Sequence, residues 1–397
     1  MRPLTAAHEE VLSIDQNVIR LLAFHEKVGI FSDRKPIVAA PKKNISVLVL
    51  FNQVGIDEYE AIKMVDPSTL DFEPEYNLSS VATVSEEYKA IATALESEGF
   101  DVRIFNVKEN IHRLSSLLRR QPPDVIFNLV EFFHDSQFLE ASVAGLFDLY
   151  MIPYTGASPL SLGMCLRKGF TKQLLLANGV PTPKFRILFE PKIVKRHGLR
   201  YPLIVKPGRD DGSAGINKES VVYDYDSLQQ LIKNVFTQHT PPILVEEFIE
   251  GRELHVSILG NDPPKMLPVI EYDFSALPSD YPRVITYDAK WNPLDESFHR
   301  IHAVCPASLT KRQLKKIEQY SLAAYDVMEC RDYARLDLRL AKDNTVHVLE
   351  VNPNPDLTEG VSFMDSAEKA GLTFSETLVK IVEYALKRKF NGKNLPS

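Results

Sequence analysis

The sequence has little cysteine, no long apolar run and no excess of basic residues. Its 397 residues include three Cys and one Trp, and 46 Lys and Arg stand against 53 Asp and Glu, which gives a formal net charge of −7. This acidic balance argues against a nucleic-acid scaffold, because phosphate backbones are bound by basic faces. The sequence contains no run of about 18 apolar residues, so we predict no membrane span. The cysteines are too widely spaced to predict a disulfide framework or a zinc site: Cys165, Cys305 and Cys330.

The composition is otherwise that of a globular protein, with 44% hydrophobic and 25% charged residues. At about 150 residues per domain, the length predicts two to three domains. The first 20 residues carry Glu9, Glu10 and Asp15 and have no apolar core segment, so we expect no secretory signal. We therefore expect a cytoplasmic protein with reduced thiols.

The order of the predicted elements indicates an α/β domain near the beginning of the chain. Residues 5–30 have apolar positions at helical spacing, and a linker rich in Pro and Lys follows. Three short apolar strands and one helix come next: 45–51, 85–99, 101–107 and 124–129. Such alternation is typical of a parallel sheet with right-handed crossovers. We predict a helical extension over 1–43 and an α/β domain over 44–160.

A hairpin in the last third of the chain carries the clearest chemical signal. Polar and apolar residues alternate on both sides of a predicted two-residue turn at 343–344. That turn would place Asp337 opposite Glu350 and Arg335 opposite Asn352, and opposite residues share a face of the sheet. The other face would collect apolar side chains, namely Leu336, Leu338, Leu349 and Val351.

Two facing carboxylates repel each other unless a cation lies between them. Asp337 and Glu350 offer hard oxygen ligands, which suit Mg²⁺, an ion that also takes phosphate oxygens as ligands. The alternative is an exposed polar face on a surface hairpin, and the hairpin alone does not separate the two.

Two further segments fit a nucleotide site. Residues 206–215 (KPGRDDGSAG) follow a predicted strand, and their small residues would let backbone N–H groups approach phosphates, with Lys206 as a point charge. Residues 245–254 (VEEFIEGREL) would present backbone groups and a carboxylate to a base and a sugar. Taken singly, the first could be a flexible hairpin loop and the second a plain β-turn.

Taken together and in order, these segments resemble the ATP-grasp superfamily, specifically the D-alanine–D-alanine ligase family, over roughly residues 124–365. The similar stretches are 152–183, 201–216, 245–261, 286–291, 304–309 and 334–354. The resemblance implies an α/β (α+β) ATP-grasp fold in which two antiparallel sheets hold ATP. It also implies a central subdomain over 161–250 and a catalytic subdomain over 251–397 after the first α/β domain.

The resemblance assigns nucleotide-binding roles to matching positions. Lys168 and Lys206 match the lysines that hold the α- and β-phosphates, and Glu253 matches the acid that binds ribose. Glu246 matches the acid near the adenine amino group. The remaining expected contacts lie in the glycine-rich loop and along the base edge: Ser213, Glu247 and Ile249.

The same resemblance implies the reaction. ATP would convert a carboxylate into an acyl phosphate, and an amine would then displace phosphate. Lys290 matches a mobile-loop lysine at the γ-phosphate, and Arg335 matches the arginine that stabilises the oxyanion. The matching ligands of two Mg²⁺ ions, with Mn²⁺ as an alternative, are Asp337, Glu350 and Asn352.

The substrate half departs from the family. The Gly-Gly-x-Ser-x-Glu stretch is missing, since 50–60 reads LFNQVGIDEYE. Glu131 stands where a His is usual, Asp356 replaces a Gly, and Trp291 replaces a common Tyr. Ser362 lies one residue away from the spacing of a substrate-binding serine.

A polar site that has been altered rejects the original substrate strongly. We therefore expect a carboxylate–amine ligase with small-molecule substrates other than D-Ala plus D-Ala, without nucleic-acid or membrane partners and with a homodimer as in relatives. Three alternatives stay open at this point. They are a true D-alanine–D-alanine ligase, a non-catalytic ATP-binding regulatory protein, and a phosphotransferase acting on a non-carboxylate substrate.

Overall fold

The computed structural model describes residues 45–388 except residues 56, 211 and 280. The predicted extension over 1–43, with its helix at 5–30, lies outside the described residues. Among the described helices, none combines the length and the apolar character needed to cross a bilayer.

The first layer is a three-stranded parallel sheet of β1 (Ser46–Phe51), β2 (Asp101–Asn106) and β3 (Val125–Leu129), in the order β2–β1–β3. The parallel strands predicted from short apolar runs are confirmed. Four helices accompany them: α1 (Glu58–Ile62), α2 (Val84–Ser97), α3 (Ile111–Arg120) and α4 (Glu140–Leu149). Helix α2 begins at Val84, one residue before the predicted start, after a capping box formed by Thr83 and Glu86.

The second layer is a four-stranded antiparallel sheet in the order β4–β7–β5–β6. Its strands are β4 (Phe185–Leu188), β5 (Leu203–Pro207), β6 (Val221–Val222) and β7 (Ile243–Glu247). Helices α5 (Pro159–Cys165) and α6 (Lys168–Ala177) precede it, and α7 (Tyr225–Gln238) packs its apolar side on the sheet.

The third layer is an antiparallel sheet in the order β11–β10–β8–β12–β13, with β9 paired to β8. Its strands are β8 (Gly251–Leu259), β9 (Lys265–Met266), β10 (Ile270–Asp273), β11 (His302–Val304), β12 (Tyr333–Ala341) and β13 (Val346–Asn352). The helices in this part of the chain are α8 (Tyr287–Trp291), α9 (Glu296–Arg300), α10 (Lys311–Val327), α11 (Ser362–Lys369) and α12 (Phe374–Lys387). Of these, α12 packs on the first sheet and on α2. One face packs on α10 through a core that includes Leu336, Leu338 and Ile317.

The two antiparallel sheets are joined by residues 248–250, which lead from β7 in one sheet to β8 in the other. The segment 245–254 is therefore not a hairpin turn within one sheet. The three sheets fall within 44–160, 161–250 and 251–397, and those domain limits remain predictions. Their arrangement leaves the polar face of β8, β12 and β13 directed toward a cleft beside β5 and β7.

Candidate active site

Strands β12 and β13 place the predicted pairs opposite each other. Asp337 pairs with Glu350, and Arg335 pairs with Asn352. Directly after Asp337 the register changes, so that Leu338 faces Val348. The strand pair therefore contains a β-bulge beside the acidic pair.

The turn is one residue longer than predicted, and the bulge offsets this difference, so that the predicted pairs still face each other. The connection is a three-residue loop over 342–344, closed by a hydrogen bond from the Ala341 amide to the Thr345 carbonyl, with Asn344 at φ 65°. The two-residue turn at 343–344 was wrong. Leu349 was also assigned wrongly to the packing face, because as the extra residue of the bulge it lines the cleft instead.

The acidic pair is held by cations and an amide. Arg335 donates two hydrogen bonds to the Asp337 carboxylate, at 2.7 and 2.9 Å, and Asn352 Nδ2 donates a third at 3.2 Å. Burial alone would raise the pKa of Asp337, but the Arg335 guanidinium outweighs it and holds that pKa well below its usual range. Glu350 forms an ion pair with the Lys168 ammonium. The Asp337 carboxylate is therefore charged, and both carboxylates are directed toward one region.

The donor set fits magnesium. Asp337 and Glu350 supply carboxylate oxygens and Asn352 supplies an amide oxygen, all of them hard ligands. Across the described parts of the chain, no cluster of three His, Cys, Asp or Glu side chains is arranged for a metal. Two carboxylates supplemented by phosphate oxygens and water is the arrangement that Mg²⁺ prefers over an all-protein cage.

A second charged cluster lies where α6 meets β5 and β7. The Glu246 carboxylate bridges two ammonium groups, with Lys206 at 2.6 Å and Lys172 at 2.8 Å. Lys172 also donates a hydrogen bond to the Thr182 hydroxyl at 2.8 Å. Burial favours the neutral form of Glu246, but the two lysines lower its pKa to about 2. Lys172 was missed in the sequence, although it lies four residues after Lys168 on the same helix face.

These groups border a cleft that encloses about 690 Å³, including solvent at its mouth. Every residue expected to contact nucleotide or reacting groups lines it, except Lys168 and Asn352, which contact the lining residues Glu350 and Asp337. Its polar lining consists of Lys206, Ser213, Glu246, Glu247, Glu253, His255, Lys290, Arg335, Asp337, Arg339 and Glu350. Its apolar lining consists of Ile204, Ile216, Phe248, Ile249, Val284, Ile285 and Leu349.

Two buried basic side chains in the cleft were not anticipated. Arg339 Nη2 lies 2.5 Å from Glu253 Oε2, and its guanidinium stands over the Phe248 ring at 5.0 Å. His255 contacts the Ser362 hydroxyl at 3.0 Å and Asp337 at 3.4 Å, and burial lowers its pKa to about 3, so the imidazole is neutral. The pairing of β8 with β12 brings both side chains into the cleft, because it places Glu253 opposite Arg339 and His255 opposite Asp337.

The glycine-rich loop is tied to the segment that carries Lys290. Trp291 Nε1 donates to the Gly212 carbonyl at 2.8 Å, and the Ser213 hydroxyl donates to the Ile285 carbonyl at 3.2 Å. Gly212 has φ +64°, a conformation that glycine adopts without strain. The Lys290 ammonium lies 4.7 Å from the centre of the Trp291 ring. The loop and helix α8 therefore close one side of the cleft together.

Comparison with known proteins decides the family. The family model described as D-ala D-ala ligase C-terminus matches residues 174–383. A D-alanine–D-alanine ligase of Carboxydothermus hydrogenoformans is 31% identical over 309 residues, which cover 75% of this chain and 91% of the relative. The chain belongs to the D-alanine–D-alanine ligase family.

The chain is also similar to an uncharacterized protein and, in fold, to solved ligase structures. A protein of Sinorhizobium fredii described as uncharacterized protein y4sG is 31% identical over 310 residues, which cover 76% of this chain and 88% of the relative. The fold resembles a Bacillus anthracis D-alanine–D-alanine ligase complexed with ATP, with a TM-score of 0.64, 22% identity and coverage of 87% and 98%. It also resembles VanG D-Ala:D-Ser ligase from Enterococcus faecalis, with a TM-score of 0.59, 20% identity and coverage of 86% and 99%. The predicted ATP-grasp fold is confirmed, and the protein is an ATP-dependent ligase that forms C–N bonds.

The residues expected on the substrate side of this ligase do not line the nucleotide cleft. Ser362 is joined to it through His255, and Trp291 through Lys290, whose ammonium lies over the Trp291 ring. On its other side, the Trp291 carbonyl accepts a hydrogen bond from the Tyr59 hydroxyl at 3.1 Å. Asp356 and Glu131 lie near Glu87. Burial and the nearby Asp356 raise the pKa of Glu87 to about 8, with smaller contributions from Glu131 and Asp57. Two of the altered positions, Glu131 and Asp356, therefore belong to an acidic group around Glu87.

Proposed function

We propose that this ligase joins an amino acid or small peptide to an amine through an acyl phosphate, using ATP and magnesium, with a substrate pair other than D-Ala plus D-Ala. The observation that carries the chemistry is the shared face of Arg335, Asp337, Glu350 and Asn352. The altered substrate pair is supported by the departures at Glu131, Asp356 and Trp291.

ATP would lie in the cleft between the two antiparallel sheets. Lys206 lines the cleft and Lys168 reaches it through Glu350, so both ammonium groups are available to the α- and β-phosphates. Ile204, Phe248 and Leu349 supply apolar walls for the base, whose edge would meet the backbone of 246–249. Glu253 would receive the ribose hydroxyls, and Ser213 would contribute from the glycine-rich loop.

Asp337, Glu350 and Asn352 would hold two Mg²⁺ ions, or Mn²⁺ in their place. When bound, these ions would neutralise charge on the transferring phosphoryl group. Lys290 would approach the γ-phosphate from helix α8.

The chemistry follows from the poor electrophilicity of a carboxylate. A carboxylate oxygen attacks the γ-phosphorus and ADP leaves, which forms an acyl phosphate. The amine nitrogen then attacks the carbonyl carbon, the C–O bond to phosphate breaks, and the nitrogen loses a proton. Arg335 stabilises the negative oxygen of the tetrahedral intermediate. The Trp291 to Gly212 contact would help to exclude water, which would otherwise hydrolyse the acyl phosphate.

A D-alanine–D-alanine ligase is the second candidate. It is favoured by the D-alanine–D-alanine ligase of Carboxydothermus hydrogenoformans, which at 31% is as identical to this chain as the uncharacterized relative is.

The test is ATP-dependent phosphate release across a matrix of amino acids and small amines. We expect release with at least one pair and little with D-alanine alone, and robust release with D-alanine alone would refute the altered substrate. Hydroxylamine should trap the activated carboxylate as a hydroxamate, and its absence would favour a phosphotransferase. Arg335→Met is the control, since it should abolish release while leaving the cleft that binds ATP.

A further inference from the structure

The largest fully buried side chain among the described residues is that of Arg339, which lines the nucleotide cleft and has no part in the proposed reaction. A buried guanidinium is costly to keep in a low-dielectric interior unless its donors are matched. Arg339 is matched by three acceptors around the cleft: the Glu253 carboxylate at 2.5 Å, the Gly251 carbonyl at 3.3 Å and the Arg283 carbonyl. It therefore ties β12 to β8 and to the segment before Val284.

The contact with Glu253 is fixed by the backbone. Arg339 and Glu253 are direct cross-strand partners on β12 and β8, so their side chains leave the sheet on one face. The Phe248 ring lies against the guanidinium at 5.0 Å and limits its movement. Arg339 occupies one oxygen of a carboxylate that has about four lone-pair sites, so Glu253 retains the capacity to accept from a hydroxyl.

The pair also controls the charge of Glu253. Burial raises the pKa of this carboxyl, and the Arg339 guanidinium is the main opposing influence. Without Arg339, Glu253 would lose both its fixed orientation and the cation that favours its ionised form. An ionised acceptor makes a stronger hydrogen bond to a hydroxyl than a neutral one.

We propose that Arg339 is a positioning residue for nucleotide recognition, which orients Glu253 so that the ligase distinguishes ribonucleotides from deoxyribonucleotides. The inference rests on the proposed role of Glu253 at the ribose. Arg339 acts only through Glu253 and the cleft wall, and the reacting groups at Arg335 and Asp337 lie further along the same strand.

The experiment measures equilibrium binding of ATP, 2′-deoxy-ATP and 3′-deoxy-ATP, followed by calorimetry and by fluorescence of the single tryptophan, Trp291. One hydrogen bond to a charged group corresponds to about a 10- to 100-fold preference, so wild-type protein should favour ATP over at least one deoxy analogue by that factor. Arg339→Met should reduce the preference to within about threefold, as should Glu253→Gln. In steady-state assays, the KM for ATP should rise more than kcat falls.

Arg339→Lys and Leu338→Ala separate positioning from general destabilisation. Lysine keeps the positive charge but lacks the planar group of hydrogen-bond donors of arginine, so Arg339→Lys should show an intermediate preference for ATP. If Arg339→Met does not fold, Arg339→Lys tests the proposal in its place. Leu338 is buried on the opposite face, so Leu338→Ala should lower stability and leave the preference unchanged.

Several outcomes would overturn the inference. A folded Arg339→Met or Arg339→Lys with the full wild-type preference would do so, and so would an equal loss of preference in Leu338→Ala. Equal binding of all three nucleotides by wild-type protein would overturn this inference alone, whatever carboxylate and amine the enzyme joins. A wild-type protein that binds no ATP would overturn the proposed function as well.

Discussion

Replacement of Lys172 by methionine tests whether the buried cluster around Glu246 is a structural requirement of the site. Methionine has a similar length and no charge, so the variant removes the ammonium group and keeps most of the packing volume. Glu246 would then face Lys206 alone, and the hydrogen bond from Lys172 to Thr182 would be lost.

The magnitude follows from the charges. The fall in the pKa of Glu246 from 4.5 to about 2 corresponds to about 3 kcal/mol of stabilisation at neutral pH. That figure is shared between two lysines, whereas removal of one partner of a buried pair commonly costs about 3–5 kcal/mol. Burial also lowers the pKa of Lys172 to about 8, and methionine relieves that cost of keeping a charged group fully buried, which offsets part of the loss. We expect Lys172→Met to lower the free energy of unfolding by about 2–3 kcal/mol at pH 7.

The pH dependence gives a second check. A carboxyl whose pKa is depressed in the folded state contributes stability above its unfolded pKa of 4.5, and that contribution is lost as the pH falls toward about 2. The difference between wild type and Lys172→Met should therefore shrink as the pH is lowered from 6 to 3.

Urea unfolding followed by far-UV circular dichroism measures the difference, and Lys342→Met is the matched control. Lys342 forms an exposed ion pair with Glu250 at 2.9 Å, and such pairs contribute little. If Lys172→Met shifted the urea midpoint no more than Lys342→Met, the cluster would not stabilise the fold as argued.

Two further predictions concern the acidic group and the oxyanion. Glu87→Gln should raise the melting temperature by a margin that grows between pH 4.5 and about 8, because the raised pKa of Glu87 means that its favourable contribution is lost as the pH rises through about 8. Glu98→Gln, at the C-cap of the same helix, is the control, and a margin independent of pH would contradict the reasoning. Arg335→Lys should lower kcat by about 100-fold or more, with a smaller change in the KM for ATP. The reason is that a point charge cannot replace two hydrogen bonds to Asp337 together with contact to an oxyanion. Steady-state phosphate release measures both constants, and an unchanged kcat would show that Arg335 lies away from the reacting carbonyl.

The hairpin shows how far local sequence pattern determines the site. Alternation along β12 and β13 predicted both cross-strand pairs, because side-chain direction has a period of two in any strand. The turn was wrong by one residue, and the bulge at Leu349 restored the register at Asp337 and Glu350. Turn length and bulge compensate each other, and alternation alone does not reveal such a compensation.

Most of the contacts that the sequence did not predict join strands that lie far apart in the chain. Glu253 and Arg339 are 86 residues apart, and their contact depends on the register between β8 and β12, which no local pattern specifies. Lys172 is different, since its spacing from Lys168 was available and a search of the α6 helix face would have found it. The ligase family assignment succeeded because it used many ordered segments at once.

Strand β12 orders the chemistry along the cleft. Arg339, Asp337 and Arg335 leave the same face at intervals of two residues, so the strand extends about 13 Å from the first to the last. The cross-strand partners are Glu253 for Arg339, Glu350 for Asp337 and Asn352 for Arg335. In the proposed function, Glu253 would meet the sugar, Asp337 and Glu350 would hold magnesium at the phosphates, and Arg335 would meet the reacting carbonyl. The order of these partners follows the order of sugar, phosphates and carboxylate in the proposed reaction. A one-residue slip of β12 would turn all three side chains into the core, so the two flanking strands that fix its register also fix the spatial order of these side chains along the cleft.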